Sequence, residues 1–142
     1  GQGAYCNSKK IHISKEIDIK NVLVAYGIDG HPENPKFTKD ECTLIAEIIL
    51  KIRNLRTSNS VFDIAMVAKG NYGAFLNRTS KIWDNVAQQI IIEEAGGIYT
   101  DFFGNIIDYS KALFQPQDNF TFLASSPILH SKLLKIIKSQ SI

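Results

Sequence analysis

The stretch Asn21-Val22-Leu23-Val24-Ala25-Tyr26, closed by Gly27, limits the fold more than any other part of the chain. It is apolar without alternation, short and rich in valine, so it is expected as a buried strand rather than a helix. Downstream of Gly27, helical and extended patterns take turns. Thr38 with Glu41 makes a capping-box pattern. Cys42, Leu44, Ile45, Ile48, Ile49 and Ile52 then recur at helical spacing, which predicts a helix to about Arg53. Residues 55–59 read as a brief extended segment. Ser60 with Asp63 marks another helix start, Val61, Ile64, Ala65 and Ala68 share its face, and Gly70 stops it. Residues 72–76 predict a strand. Asp84 opens a third helix over 85–95, ended by Gly96-Gly97. Residues 98–103 predict a strand, Gly104-Asn105 a turn and 106–109 its return; 112–119 reads as a loop and 120–124 as a strand. Ser126-Pro127 caps the last helix, with Pro at its first position. Upstream, 4–6 and 9–14 form a hairpin around Asn7-Ser8. Residues 27–37, with Asp29-Gly30, Pro32 and Pro35, form a loop. This order predicts an α/β fold, a layered domain with a mixed β-sheet flanked by helices.

Bulk properties exclude several functions. The 142 residues are the size of one compact domain, with 44% hydrophobic and 21% charged residues. A formal charge of +2 is too small to suggest a nucleic-acid polymer or an acidic membrane surface as partner. No apolar run approaches the roughly 18 residues of a membrane span. Cys6 and Cys42 lie far apart without metal-ligand spacing, so a reduced, cytoplasmic protein is expected. The chain starts at Gly1-Gln2-Gly3 without Met, which suggests a fragment.

Two segments carry candidate chemistry. Asp84, at a helix start, is either a cap that accepts backbone N–H bonds or a ligand for a hard divalent cation, which prefers oxygen donors. Ser58, Asn59 and Ser60 enter another helix, where backbone donors and side chains suit either capping or an anion. With Ser126, three helices begin on polar residues, and in a layered domain such ends can converge on one sheet edge. His12, His31 and His130 share no spacing and are expected on a strand, a loop and a surface helix. Asp29-Gly30 reads as an acidic turn, Glu93-Glu94 as a solvated helix end, and Lys81 as a surface lysine or a contact for a second anionic group.

The stretch Ile82-Trp83-Asp84-Asn85-Val86-Ala87, running through Ile90-Ile91-Ile92 to Glu94-Ala95-Gly96-Gly97, resembles the second signature of the inositol monophosphatase family. Gly1-Gln2-Gly3-Ala4-Tyr5-Cys6-Asn7 is similar to that family's Gly-x-Gly-Ala-aromatic-x-Asn hairpin. Phe62-Asp63-Ile64-Ala65 with Val67-Ala68-Lys69-Gly70 resembles the helix after its Gly-Ser-Ala substrate loop. The resemblance covers nearly the whole chain and implies the C-terminal half of an αβαβα sandwich. Residues 1–15 would be a hairpin belonging to the sheet of an absent N-terminal domain, and 16–142 the C-terminal α/β domain.

The resemblance further implies Asp84 as a Mg²⁺ ligand, Ser58, Asn59 and Ser60 as a substrate loop, and Asn77 at the position of a glutamate that meets the sugar ring. No residue here is assigned a catalytic role of its own. The implied reaction is hydrolysis of a small sugar or inositol phosphate monoester by a metal-activated water. Two departures stand out: Ser-Asn-Ser replaces Gly-Ser-Ala, and Asn77 is not acidic. Fructose 1,6-bisphosphate and a 3′-phosphonucleotide are the alternative substrates. The family's Glu-Glu pair and Asp-x-Ile-Asp-Gly-Thr segment are not found in these residues, so the fragment alone is expected to be inactive. A noncatalytic binding or scaffold module is the reading from another class. A homodimer is the expected assembly.

Overall fold

A computed structural model describes residues 1–112 and 114–140. The elements are β1 (Tyr5–Cys6), β2 (Lys9–Lys10), β3 (Leu23–Gly27), α1 (Pro35–Ile49), β4 (Asn54–Arg56), α2 (Val61–Ala68), β5 (Ala74–Ser80), α3 (Ile82–Glu94), β6 (Ile98–Thr100), β7 (Phe120–Ser125) and α4 (Pro127–Lys138). β1 and β2 form a separate two-stranded hairpin, and the main sheet has the order β4-β3-β5-β7-β6. β3 runs parallel to β4 and β5, whereas β7 is antiparallel to β5 and β6. The sheet is therefore mixed, with four α-helices around it among the described residues.

Side-chain alternation along the central strands builds two cores. Val24 and Tyr26, Ala74 and Leu76, and Leu123 point to one face, where Leu44 and Ile48 of α1 and Leu129, Leu133, Ile136 and Ile137 of α4 cover them. Ala25, Phe75, Phe122 and Ala124 point to the other, under Ile64, Val67 and Ala68 of α2 and Ile92 of α3. That explains the missing alternation in 21–26: β3 is buried on both faces. The hairpin joins the second core. Ala4 is buried there, its N–H reaches the Glu94 carbonyl at 3.3 Å, and the Ile13 N–H reaches the Ala95 carbonyl at 3.1 Å.

Several elements differ from the sequence reading. α1 starts at Pro35, because Asn34 accepts the Phe37 N–H at 3.3 Å and proline fits the first helical position. Thr38 lies inside that helix and its hydroxyl accepts the His31 N–H at 3.0 Å. Glu41 is not a capping partner but a buried side chain that accepts the Tyr26 hydroxyl at 3.1 Å. The predicted return strand at 106–109 does not form. Asp101 Oδ1 accepts the N–H groups of Phe103 and Asn105, both at 2.8 Å, so this turn closes on a carboxylate instead of a ladder. No helix or strand occupies the expected loop at 112–119, of which Leu113 lies outside the described residues. His130 is buried instead of on a helix surface. Its Nε2 sits 2.9 Å from Thr100 Oγ1, and burial lowers its pKa. No helix among the described residues is long and apolar enough to cross a membrane.

Candidate functional site

At the C-terminal end of the parallel pair β3 and β5, the chain turns into the 28–34 loop on one side and into α3 on the other. The N-terminus of α2 arrives beside them. Between these ends lies a cleft of about 190 Å³ whose polar lining includes Asp29, Asn59, Ser60, Asn77, Thr79 and Asp84. Crevices outside the carboxyl ends of strands are the usual ligand sites of layered α/β sheets.

One wall is a chain of hydrogen bonds. Asn77 Nδ2 donates to Asn59 Oδ1 at 2.9 Å, and Asn59 Nδ2 donates to Asp29 Oδ1 at 3.1 Å. Asp29 Oδ2 accepts the Thr79 hydroxyl at 3.1 Å, and the Thr79 N–H returns to Asn77 Oδ1 at 2.7 Å. Asn59 holds its place with φ at +47°, a left-handed conformation that asparagine tolerates better than most residues. Gly27 makes room for the amide pair: a Cβ there would lie 2.3 Å from Asn77 Nδ2 and 2.4 Å from Asn59 Oδ1. Ser60 caps α2 by accepting the Phe62 N–H at 3.2 Å, and its own N–H donates to Asp63 Oδ2 at 3.3 Å. This reciprocal pair is the capping box read from the sequence. Ser58 is not part of the cleft lining. Its hydroxyl lies 2.7 Å from both Asp63 carboxylate oxygens and ties the loop to the helix start.

The opposite wall is α3. Its N-cap is Lys81, which makes no side-chain cap bond; the Lys81 ammonium donates to the Gln117 carbonyl. Asp84 is the acidic residue of the first turn, where the helix dipole favours its charge. Its carboxylate does not cap: among the described residues it accepts no hydrogen bond. One turn on, Gln88 is buried against the cleft with an unpartnered Oε1. Asn85, on the buried side of the helix, accepts the Tyr99 hydroxyl at 3.1 Å and locks α3 to β6.

Every charged residue among those lining the cleft is acidic, Asp29 and Asp84. A phosphate enters such a site favourably only with a cation. The donor set fits a hard one, since it offers carboxylate, amide and hydroxyl oxygens without histidine or cysteine. It is also incomplete, for no group of three His, Cys, Asp or Glu side chains able to hold a metal occurs among the described residues. Asp84 would supply one ligand, and water, substrate phosphate and groups from outside these residues would supply the rest.

The sequence singled out Asn59, Ser60, Asn77 and Asp84, and the fold brings these four to one cleft. It missed Asp29 and Thr79. The available signal was position, since Asp29 follows the C-terminal end of a buried parallel strand.

The model of the family described as "Inositol monophosphatase family" matches residues 1–141. An inositol-1-monophosphatase of Bacillus subtilis is 26% identical over 136 residues, covering 95% of this chain and 48% of that protein. A 3′(2′),5′-bisphosphate nucleotidase of Dictyostelium discoideum is 42% identical over 79 residues, 52% of this chain and 24% of that protein. The solved extragenic suppressor protein suhB of Bartonella henselae has the same fold, with a TM-score of 0.82 at 22% identity over 100% of this chain and 50% of that chain. The chain thus spans about half the length of the Bacillus and Bartonella proteins. With a family match along nearly all its residues, the chain belongs to the inositol monophosphatase family.

Proposed function

We propose that the cleft is the C-terminal share of a magnesium-dependent phosphomonoesterase site. The observation that carries this reading is the Asp84 carboxylate, which accepts no hydrogen bond among the described residues and lies in the first turn of α3, across a cleft from Asn59, Ser60 and Asn77. A Mg²⁺ ion held there would neutralise phosphate charge and lower the pKa of a bound water. The residues of this chain would hold that ion through Asp84 and orient the ester through the amides of Asn59 and Asn77. The substrate is a small phosphorylated sugar or polyol rather than a nucleic-acid polymer. The site acts inside the cytoplasm, in a homodimer, and these residues alone are inactive because one carboxylate does not assemble a multi-ion centre.

Asp84→Asn in the full-length protein is the test. Turnover is expected to fall on the order of 10² to 10³-fold, as when one transition-state electrostatic contact is lost, with thermal stability nearly unchanged. Unchanged turnover at saturating Mg²⁺ sinks the metal assignment. The second reading, a noncatalytic module, is favoured by the Ser58-Asn59-Ser60 sequence in place of Gly-Ser-Ala. It predicts ligand binding without hydrolysis in the same assay. Sedimentation reads the dimer, and retention on RNA at physiological salt would overturn the small-metabolite assignment.

A further inference from the structure

The 28–34 loop looks like a simple connection in sequence, yet its Asp29 reaches into the cleft and takes part in the wall opposite α3. Each Asp29 oxygen accepts one hydrogen bond, from Asn59 Nδ2 and from Thr79 Oγ1, both at 3.1 Å. A carboxylate has about four acceptor sites, so each oxygen keeps one for a ligand. The two bonds fix the carboxylate's orientation, and the residue stays exposed to whatever enters.

The charged side chains that line the cleft are all acidic. None of the residues lining the cleft is Lys or Arg. Lys81 and Arg78 keep their charge, but their heads are held outside the lining, on the Gln117 carbonyl and over the Phe37 ring, 4.1 Å from its centroid. A cation held by Asp84 would offset charge at that end of the cleft rather than at the Asp29 end. Asn77, beside it on the same wall, is neutral. The volume of about 190 Å³ falls below the roughly 300 Å³ at which pockets for drug-sized ligands begin.

We propose that Asp29 is the specificity-determining residue of this cleft: it accepts hydrogen bonds from hydroxyls of a compact, uncharged polyol carried on a phosphate monoester, and it repels substrates with a second phosphate at that end. The proposal rests on the phosphatase reading above and narrows it. It selects the monophosphate class over bisphosphorylated sugars and nucleotides. This separates the chain from the activity that the name of its Dictyostelium relative describes, despite 42% identity over 79 residues.

The test measures kcat and KM of the full-length protein with Mg²⁺ for myo-inositol 1-phosphate and for fructose 1,6-bisphosphate, in wild type and Asp29→Asn. Wild type is expected to favour the monophosphate in kcat/KM. Asp29→Asn is expected to raise KM for the monophosphate about 10-fold, the loss of one hydrogen bond to a charged group, while moving kcat less. Its preference for monophosphate over bisphosphate should fall by at least about 10-fold, because repulsion is lost together with recognition. Asp29→Ser, with a melting curve for each variant, separates this from local unfolding: it should shift the same ratio. Wild-type preference for the bisphosphate overturns the assignment, and so does an unchanged ratio in both variants; either leaves the phosphatase reading intact. If wild type hydrolyses neither compound, the phosphatase reading fails instead. Calorimetry with the same two compounds and Ca²⁺ then decides Asp29. Tighter monophosphate binding that is lost in Asp29→Asn supports the assignment, and any other pattern overturns it.

Discussion

The two helical layers cover the same sheet but meet their surroundings differently. α1 and α4 bury Leu44, Ile48, Leu129 and Leu133 completely, and α1 turns charge outward, pairing Lys36 with Asp40 at 2.5 Å and Glu47 with Lys51, just past its end, at 3.1 Å. Such pairs add little stability, but they mark a solvated face. α2 and α3 also bury an inner face, yet their outer face carries Val61, Phe62, Trp83, Val86 and Ile90, with Trp83 57% and Ile90 59% exposed. A run of large apolar side chains on neighbouring helices is the mark of a surface meant to be covered. The cleft opens beside this face, since Val61 and Asp84 border both the polar cleft and an apolar groove next to it. One layer is mostly solvated outside, with Ile49, Leu50 and Ile128 as its exposed apolar residues, and the other carries a larger open apolar face. The Asp84 end of the proposed site lies beside that open apolar face.

The sharpest way to break this contrast is to cut into the closed layer. Leu133→Ala, at a fully buried α4 position, is expected to cost about 2–5 kcal/mol in chemical denaturation. A smaller loss would mean that α4 is not the closing element. Next comes Gly27→Ala. A Cβ at 2.3–2.4 Å from two amide atoms forces the Asn59–Asn77 pair apart, with an expected cost of about 1–3 kcal/mol and a larger loss of substrate affinity. Comparing calorimetric binding with the melting curve checks that split. Ser60→Ala removes the α2 cap and should cost about 1 kcal/mol in the same denaturation experiment. At the bottom of the scale, Val86→Lys with Ile90→Lys should leave monomer stability within about 0.5 kcal/mol, since both side chains are more than half exposed. The same pair should markedly reduce association of the chain in sedimentation. A large stability loss there would show that α3 is closed like α4.

Glu41 sharpens the comparison through pH. It is buried between β3 and α1 with Oε2 unpartnered, and desolvation raises its pKa above 4.5. The folded state therefore holds this proton more tightly than the unfolded state. Its contribution is complete below pH 4.5 and is lost as pH rises through the raised value. Glu41→Gln keeps an acceptor for the Tyr26 hydroxyl and carries no charge, so it should be more stable than wild type near neutral pH and lose that advantage in acid. Melting temperatures at a series of pH values check the sign.

Legibility in sequence depends on which residues obey a single physical rule. β3 and the inner faces of α2 and α4 declare themselves by apolar spacing, and Ser60 with Asp63 by capping chemistry. The start of α1 is misread because two legitimate caps compete there, and Asn34 with Pro35 wins over Thr38 with Glu41. β5 is cut short in sequence because the polar run from Asn77 to Ser80 ends the apolar pattern. Asn77, Thr79 and Ser80 line the cleft, where polar groups replace the apolar pattern. Asp29 is unreadable for a related reason. A loop residue gains a role only when two strands and a helix end bring Asn59 and Thr79 within 3.1 Å of it. A resemblance along its helix singles out Asp84, while its lack of capping duty is seen only in the geometry, where Lys81 takes the N-cap position.

Both outer strands of the main sheet, β4 and β6, are three residues long. Such stubs present few open backbone groups, so the sheet is a poor template for strand-by-strand polymerisation. Material that aggregates through the open apolar face of α2 and α3 should therefore form amorphous precipitate rather than fibres. It should redissolve on refolding and give no cross-β signal, which matters for how such a chain is purified and stored.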